Sequence, residues 1–129
     1  MSAPVASVRV LIVDDDVDVR LGLRSLLRSL GHQVEEAENG DQGLTRILAE
    51  RPDLALVDLA MEGGLDGYEV ARQLRATPEG AALRLVALTG HSRREERVRA
   101  LEAGFDRVLV KPVSERELTL VLSECVTPS

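Results

Sequence analysis

The sequence predicts an α/β protein, a doubly wound (βα)5 fold built on one five-stranded parallel sheet. Two observations support this fold class. Short apolar runs of strand length alternate with amphipathic stretches of helix length, which is the pattern of repeated βα units. The 129 residues, 44% of them hydrophobic, fit one compact domain. We expect the connections between the parallel strands to be right-handed crossovers.

The first two βα units fill the first part of the chain. A strand at residues 8–13 precedes a helix whose apolar residues recur every three or four positions and which ends at Gly31. A strand at about Gln33–Ala37 precedes a second helix, which ends at Arg51-Pro52 because a residue before proline avoids helical backbone. The apolar positions of the two helices are Val19, Leu23, Leu26, Leu27, Leu30, Leu44, Ile47 and Leu48.

The third strand, residues 54–57, is apolar throughout, as expected for a central strand that is covered on both faces. Asp66 is suited to cap the helix that follows, and the Thr-Pro-Glu-Gly segment at 77–80 ends that helix. The last two units repeat the pattern, with strands and helices predicted at 83–88, 93–103, 108–110 and 115–125. The apolar stripes of the third and last helices are Tyr68, Val70, Ala71 and Leu74, and Leu118, Val121 and Leu122.

Residues suited to phosphoryl chemistry stand at the ends of the predicted strands. Asp14 and Asp15 end the first strand, Asp58 the third, Thr89 the fourth and Lys111 the fifth. In a parallel sheet these positions converge on one edge. Clustered carboxylates repel one another unless a cation neutralises them, and sites made only of oxygen ligands suit Mg²⁺. The edge is therefore predicted to hold a divalent cation and a phosphoryl group.

Each of these residues also has an ordinary interpretation. Aspartates at strand ends can begin turns or cap helices, which we expect of Asp18, Asp41 and Asp53, and Asp16 is expected to cap the first helix. A single threonine at a strand end is usually a turn residue, and Lys111 could extend into solvent. The five residues in this order, with a helix between successive strands, favour one shared site.

The order Asp-Asp, Asp, Thr, Lys-Pro resembles the receiver domain of bacterial response regulators over nearly the whole chain. The resemblance implies a flavodoxin-like sheet with strand order 2-1-3-4-5 and a receiver domain at residues 8–126, with a short extension at 1–7 and a tail at 127–129. The segments at 103–106 and 109–113 look closest to receivers at the ends of hybrid histidine kinases.

The resemblance also implies the roles of the residues at the edge. Asp58 would accept the phosphoryl group, Thr89 and Lys111 would contact it, and a cis bond before Pro112 would turn the lysine inward. Mg²⁺ would be the cofactor. Its ligands would be Asp58 together with Asp15 and the Ala60 backbone carbonyl, while Asp14 would act largely through metal-bound water.

The loop after Asp58 departs from the family pattern. The proline that usually follows the loop methionine is replaced by Glu62, the loop is one residue longer, and Gly63 and Gly64 make it more pliable. Ala60 and His91 occupy the two positions that flank the path of the hydrolytic water in this family, so these side chains would tune the lifetime of the phosphoryl group.

Val108 stands where many receivers carry an aromatic switch residue, so a rotamer switch of that kind is impossible here. We expect the signal to pass through Thr89 and the Gly90-His91-Ser92 loop instead. It would reach a docking face made by the fourth helix, the fifth strand and the last helix. The basic residues of the fourth helix would be part of that face or only a solvated surface; they are Arg93, Arg94, Arg97 and Arg99.

The predicted function is that of a signalling receiver, not an enzyme acting on a small substrate. It would be phosphorylated on Asp58 by a histidine kinase or phosphotransfer protein and would act on a downstream protein. Two alternatives are a docking-only receiver, which would have lost an acceptor or metal residue, and a phosphohydrolase. Phosphohydrolases of this kind generally carry a second acid where this chain has Ala60.

Composition excludes several other classes of protein. A net charge of -6 argues against direct nucleic-acid binding, and neither common nucleotide-binding glycine motif is present. Cys125 is the only cysteine, which rules out an internal disulfide and favours the cytoplasm. The opening segment lacks a signal peptide, and no apolar run approaches the roughly 20 residues of a membrane span. We expect a monomer or weak dimer.

Overall fold

The computed structural model describes residues 7–91 and 93–125, and it confirms the predicted alternation of strands and helices. Residues 1–6, Ser92 and 126–129, with most of the predicted extension and the whole predicted tail, lie outside the described residues. Several element bounds differ from the predicted ones by one residue. The elements are β1 Arg9–Val13, α1 Val17–Ser29, β2 Gln33–Ala37, α2 Gly40–Glu50, β3 Leu54–Asp58, α3 Gly67–Arg75, β4 Arg84–Thr89, α4 Arg94–Ala103, β5 Arg107–Val110 and α5 Glu115–Cys125.

The five strands form one parallel sheet in the order β2-β1-β3-β4-β5, which confirms the predicted topology. The register aligns the carboxyl ends of the neighbouring strands, since Asp58 pairs with Leu88 and Thr89 pairs with Val110. Lys111 follows at the same edge. The register therefore brings the predicted site residues to one edge of the sheet, called the rim below.

The apolar side chains form two clusters, one on each face of the sheet. The first lies beneath α2, α3 and α4, and the second lies beneath α1 and α5. Every residue of β3 is buried, as predicted for a central strand. The stripes predicted for α3 and α5 are buried as well. Because β3 is packed on both faces, the backbone that carries Asp58 is enclosed by the sheet and both layers of helices.

Asp16 and Asp66 cap helices as expected, whereas the side chain of Asp53 makes a long-range contact and not a turn or a cap. Asp16 accepts a hydrogen bond from the Asp18 amide and caps α1, and Asp66 accepts one from the Glu69 amide and caps α3. Asp53 accepts a hydrogen bond from the backbone amide of Arg9. The peptide bond between Lys111 and Pro112 is cis, as the resemblance implied.

Arg75, the last residue of α3, binds several backbone carbonyl groups at the end of the sheet opposite the rim. Its guanidinium donates hydrogen bonds to the carbonyl oxygens of Gly104, Gly80 and Leu83, at 2.8, 2.8 and 2.7 Å. It also pairs with the Asp106 carboxylate at 2.9 Å. One side chain thus joins α3, the segment before β4, and the turn between α4 and β5.

His32 makes the stability of the fold depend on pH. Its Nδ1 accepts a hydrogen bond from the Val8 amide at 2.9 Å, and burial lowers the pKa of the imidazole below its usual 6.5. As the pH falls below that value, the unfolded state binds a proton more readily than the folded state, so stability is lost on acidification.

The variant His32→Asn keeps an acceptor oxygen but does not titrate. We therefore expect its free energy of unfolding to fall less than that of the wild type when the pH is lowered. The measurement is urea unfolding at about pH 7.5 and about pH 5.5. Equal losses in the two proteins would show that His32 does not cause the dependence.

Candidate functional site

Three aspartates meet at the rim, as the sequence predicts. One carboxylate oxygen from each of Asp14, Asp15 and Asp58 lies within 4.8 Å of the others. Asp14 is fully buried and Asp58 is 4% exposed, whereas Asp15 is exposed to solvent. The cluster therefore combines two enclosed carboxylates with one that solvent can reach.

Lys111 is directed into this cluster and not into solvent. Its Nζ lies 2.9 Å from Asp14 Oδ2 and 3.4 Å from Asp58 Oδ1. The Lys111 amide donates to the Thr89 carbonyl at 2.8 Å, which fixes the backbone just before the cis bond to Pro112. The ammonium can therefore stabilise added negative charge beside Asp58.

Burial and neighbouring charges shift the pKa of both groups. Desolvation raises the pKa of Asp58, and the charge of Asp14 raises it further. Burial by itself lowers the pKa of Lys111, but contact with Asp14 and the charge of Asp58 outweigh it, and the net pKa of Lys111 is raised. Lys111 is thus held as a cation. Its charge only partly offsets the burial and the repulsion from Asp14 that oppose ionisation of Asp58.

The donor set fits a hard divalent cation. Asp14 Oδ2 is buried and, among the described residues, its ion pair with Lys111 lacks hydrogen-bond geometry, so the oxygen has no hydrogen-bond donor. Asp58 Oδ1 accepts a hydrogen bond from the Ala60 amide at 3.2 Å. Three carboxylates face one ammonium, which leaves two negative charges unbalanced. Oxygen ligands with this excess of charge suit Mg²⁺.

Thr89 makes a contact at the rim that the sequence analysis missed. The threonine is 4% exposed, and its hydroxyl donates a hydrogen bond to Glu96 Oε2 at 3.2 Å. The hydroxyl oxygen of Thr89 also accepts a hydrogen bond from the His91 amide at 3.2 Å. Glu96 lies in the first turn of α4, where an acidic residue is equally explained by the helix dipole, so its contact with Thr89 has no separate signal in the sequence.

The rim opens into a cleft of about 650 Å³ above Asp58, Thr89 and Lys111. Ala60 and His91 are both exposed and line this cleft. The positions that the family resemblance connects with the hydrolytic water therefore stand beside the predicted acceptor.

The arginines of α4 do not form one uniform surface. The Arg99 guanidinium stacks over the Tyr68 ring of α3, 4.0 Å from the ring centroid. Arg93, Arg94 and Arg97 are exposed. Arg99 is exposed as well, but unlike the other three it stacks on an aromatic ring beside the cleft.

Arg20 supports the rim from outside, which the sequence analysis also missed. Its Nη1 donates to the Asp14 carbonyl at 2.6 Å and its Nε donates to Glu36 Oε1 at 3.1 Å. Arg24 pairs with the other oxygen of Glu36 at 2.6 Å. This network fixes the backbone at the end of β1. Its apparent signal in the sequence, an arginine pair spaced by four on α1, is too common to be diagnostic.

This structure is that of a doubly wound α/β protein with an acidic pocket at the carboxyl ends of its strands. The family model of the response regulator receiver domain matches residues 10–123. The chain belongs to the response regulator receiver family, whose members are signalling proteins.

Individual relatives show the same family. Response regulator MprA of Mycobacterium tuberculosis is 46% identical over 112 residues, which are 87% of this chain and 47% of MprA. Transcriptional regulatory protein ResD of Bacillus subtilis is 41% identical over 112 residues, which are 87% of this chain and 45% of ResD. The chain thus spans about half the length of these curated relatives.

A solved structure is similar over nearly the whole chain. It is the receiver domain of the sensor histidine kinase PA1611 of Pseudomonas aeruginosa, with a magnesium ion coordinated in the active site cleft. The TM-score is 0.84 and the identity 31%, over 92% of this chain and 97% of that one. The matches thus include a transcriptional regulatory protein as well as the receiver of a sensor histidine kinase. None of the helices in the described part of the chain has the length and apolar character that a membrane span requires.

Proposed function

We propose that this chain is a phosphoryl-accepting receiver, in which Mg²⁺-dependent transfer from a phosphohistidine to Asp58 switches a protein-docking surface. The phosphohistidine would belong to a histidine kinase or a phosphotransfer protein. The observation that supports the proposal most is the position of Asp58. Its carboxylate ends the central strand beside two further carboxylates, with Lys111 Nζ 3.4 Å away.

The residues of the rim divide the work of this transfer. A carboxylate oxygen of Asp58 would form the new bond to phosphorus as the bond from phosphorus to the donor imidazole nitrogen breaks. Lys111 would stabilise charge on the phosphoryl oxygens, and the Thr89 hydroxyl would donate a hydrogen bond to one of them. Both groups lie at the ends of neighbouring strands, beside the acceptor.

The acidic cluster would hold the cofactor. Mg²⁺ would be bound by Asp15, Asp58 and the Ala60 carbonyl, with Asp14 in its outer shell, and the bound ion supplies charge that screens the incoming phosphoryl group. Arg20 would keep Asp14 in place through its backbone carbonyl. The magnesium ion in the similar PA1611 receiver supports this assignment.

The alternatives have less support. A docking-only receiver would lack an acceptor or metal residue, and the rim has all of them together. A phosphohydrolase with repeated turnover would need a proton donor where Ala60 stands. We therefore propose slow self-dephosphorylation only.

The surface that responds would be the face formed by α4, β5 and α5. Three exposed apolar side chains lie on the helices of this face: Val98, Leu101 and Leu120. A downstream protein would bind there, and the chain would act in the cytoplasm as a monomer or weak dimer. Its acidic charge gives no reason to propose nucleic-acid binding by these residues.

The wild type is expected to gain one phosphoryl group on incubation with Mg²⁺ and a small phosphodonor, and none when the metal is chelated. Intact mass measures the uptake. If the wild type stays unmodified under conditions that label another receiver, the proposed function is wrong.

Asp15→Asn tests the metal assignment separately. It should weaken Mg²⁺ binding by more than the roughly tenfold that loss of a ligand-supporting residue costs. Asp18→Asn, an exposed aspartate three residues later, is the matched control and should bind like the wild type. Equal Mg²⁺ affinity in the two variants would remove Asp15 from the ligand set.

A further inference from the structure

We propose that Glu96 is a positioning residue that competes with the phosphoryl group for the hydroxyl proton of Thr89. Through this competition it would oppose phosphorylation of Asp58 and couple the state of the rim to α4. The inference rests on the proposed function, because the phosphoryl oxygen is the competing acceptor.

The hydroxyl group of Thr89 already takes part in two hydrogen bonds. A hydroxyl group has one proton to donate. The Thr89 proton is donated to Glu96 Oε2 at 3.2 Å, and the hydroxyl oxygen accepts from the His91 amide at 3.2 Å. A phosphoryl oxygen on Asp58 could receive the Thr89 proton only if Glu96 gave it up.

The charge of Glu96 also opposes the phosphorylated state. The carboxylate of Glu96 lines the same cleft as Asp58. A phosphoryl group would add negative charge to this partly enclosed space, and like charges repel. The contact between Glu96 and Thr89 therefore disfavours the phosphorylated state. By linkage, phosphorylation must disfavour the contact to the same extent.

The first turn of α4 is weakly attached to the rest of the domain. Arg93, the N-cap residue, makes no side-chain capping hydrogen bond. The buried residues of the helix are Ala100 and Ala103, both in its second half. Two side-chain contacts hold this side of α4 against the domain. They are the hydrogen bond of Glu96 to Thr89 and the stacking of Arg99 on Tyr68. Release of Glu96 would thus free the first turn.

Glu96 could instead serve α4 only as a favourable charge at the helix N-terminus. Glu95 is the matched control for that role, because it is acidic, exposed and in the same turn. A dipole effect would make the two glutamates equivalent. Competition for the Thr89 proton would make Glu96 unique.

The test is a titration with beryllofluoride, a stable mimic of the phosphoryl group, in the presence of Mg²⁺. The wild type, Glu96→Gln and Glu95→Gln are each titrated, and amide NMR monitors binding. Glutamine can still accept a hydrogen bond but is a neutral and weaker acceptor, so Glu96→Gln should bind about three- to tenfold more tightly, as expected when a hydrogen bond to a charged and partly exposed group is weakened. Glu95→Gln should match the wild type. Before any addition, the α4 amides of Glu96→Gln should already be shifted towards their positions in the loaded wild type.

The outcomes separate this inference from the proposed function. Equal or weaker binding by Glu96→Gln relative to Glu95→Gln, in a series whose wild type binds the mimic, overturns the role of Glu96 and leaves the proposed function intact. A wild type that neither binds beryllofluoride nor accepts a phosphoryl group overturns both.

Discussion

Asp58→Asn is expected to take up no phosphoryl group under conditions in which the wild type gains one. The change keeps the shape of the side chain and removes the nucleophilic carboxylate at the end of β3. Intact mass after incubation with Mg²⁺ and a small phosphodonor measures the loss. Glu62→Gln, which changes an exposed carboxylate of the same cleft, should be labelled like the wild type.

Labelling of Asp58→Asn at the wild-type level would contradict the acceptor assignment. A trace of product on Asp14 or Asp15, which lie in the same cluster, would not, and peptide mapping would distinguish the two results.

The same variant should also be more stable than the wild type without metal at neutral pH. Burial and Asp14 raise the pKa of Asp58 above its usual 3.8, so the folded state binds a proton more tightly than the unfolded state. The free energy of unfolding then falls as the pH rises through the raised value, and the penalty is fully present above it. Asparagine removes the penalty. Urea unfolding in a chelator should show a higher midpoint for Asp58→Asn, and a lower midpoint would contradict this electrostatic account.

Gly67→Ala is expected to damage both the fold and the site. Gly67 is buried at the start of α3, and an added Cβ would collide with the Asp58 carbonyl oxygen and lie 2.8 Å from Leu59 Cα. Both atoms belong to backbone, so relief requires movement of the acceptor residue itself. We expect a loss of about 1–3 kcal/mol in the free energy of unfolding. Phosphorylation by a small phosphodonor should also be slower than in the wild type.

Gly22→Ala is the matched control for this change. Gly22 lies within α1, and an added Cβ would meet nothing within 4 Å. Alanine is the better helix former, so this variant should gain roughly 0.5–1 kcal/mol and keep its phosphorylation rate. Urea midpoints and labelling rates test both variants. A Gly67→Ala protein with the stability and labelling rate of the wild type would show that the close approach is easily relieved.

The alternation of strands and helices was predictable because it follows from local periodicity. The all-apolar segment that became β3 and the stripe of Leu118, Val121 and Leu122 on α5 both indicated burial, and both are buried. The meeting of the carboxylates was predictable because parallel strands end at one edge. Asp58 and Thr89 were expected just beyond their strands but are the last strand residues, since their backbones still pair with β4 and β5.

The missed residues act through contacts between distant parts of the chain. Glu96 reaches Thr89 only because α4 packs beside β4, and Gly67 matters because α3 starts against the backbone of Asp58. Arg20 reaches the Asp14 carbonyl from the first turns of α1. In the sequence each has a common local explanation: a helix dipole, the first residue after a cap, or a solvated helix face. Local patterns cannot distinguish these explanations from tertiary contacts.

The attachment of α4 is asymmetric, and this determines the kind of motion that the helix can make. At its carboxyl end, Arg75 binds the Gly104 carbonyl and Asp106, next to the buried Ala103. At its amino end, Glu96 supplies the hydrogen bond to β4. If that bond is lost, α4 would rotate about a pivot near Gly104 and would not slide along the sheet. Displacement would then be largest beside the cleft and smallest near Asp106, so a partner that senses the switch would have to bind the half of α4 nearest the rim.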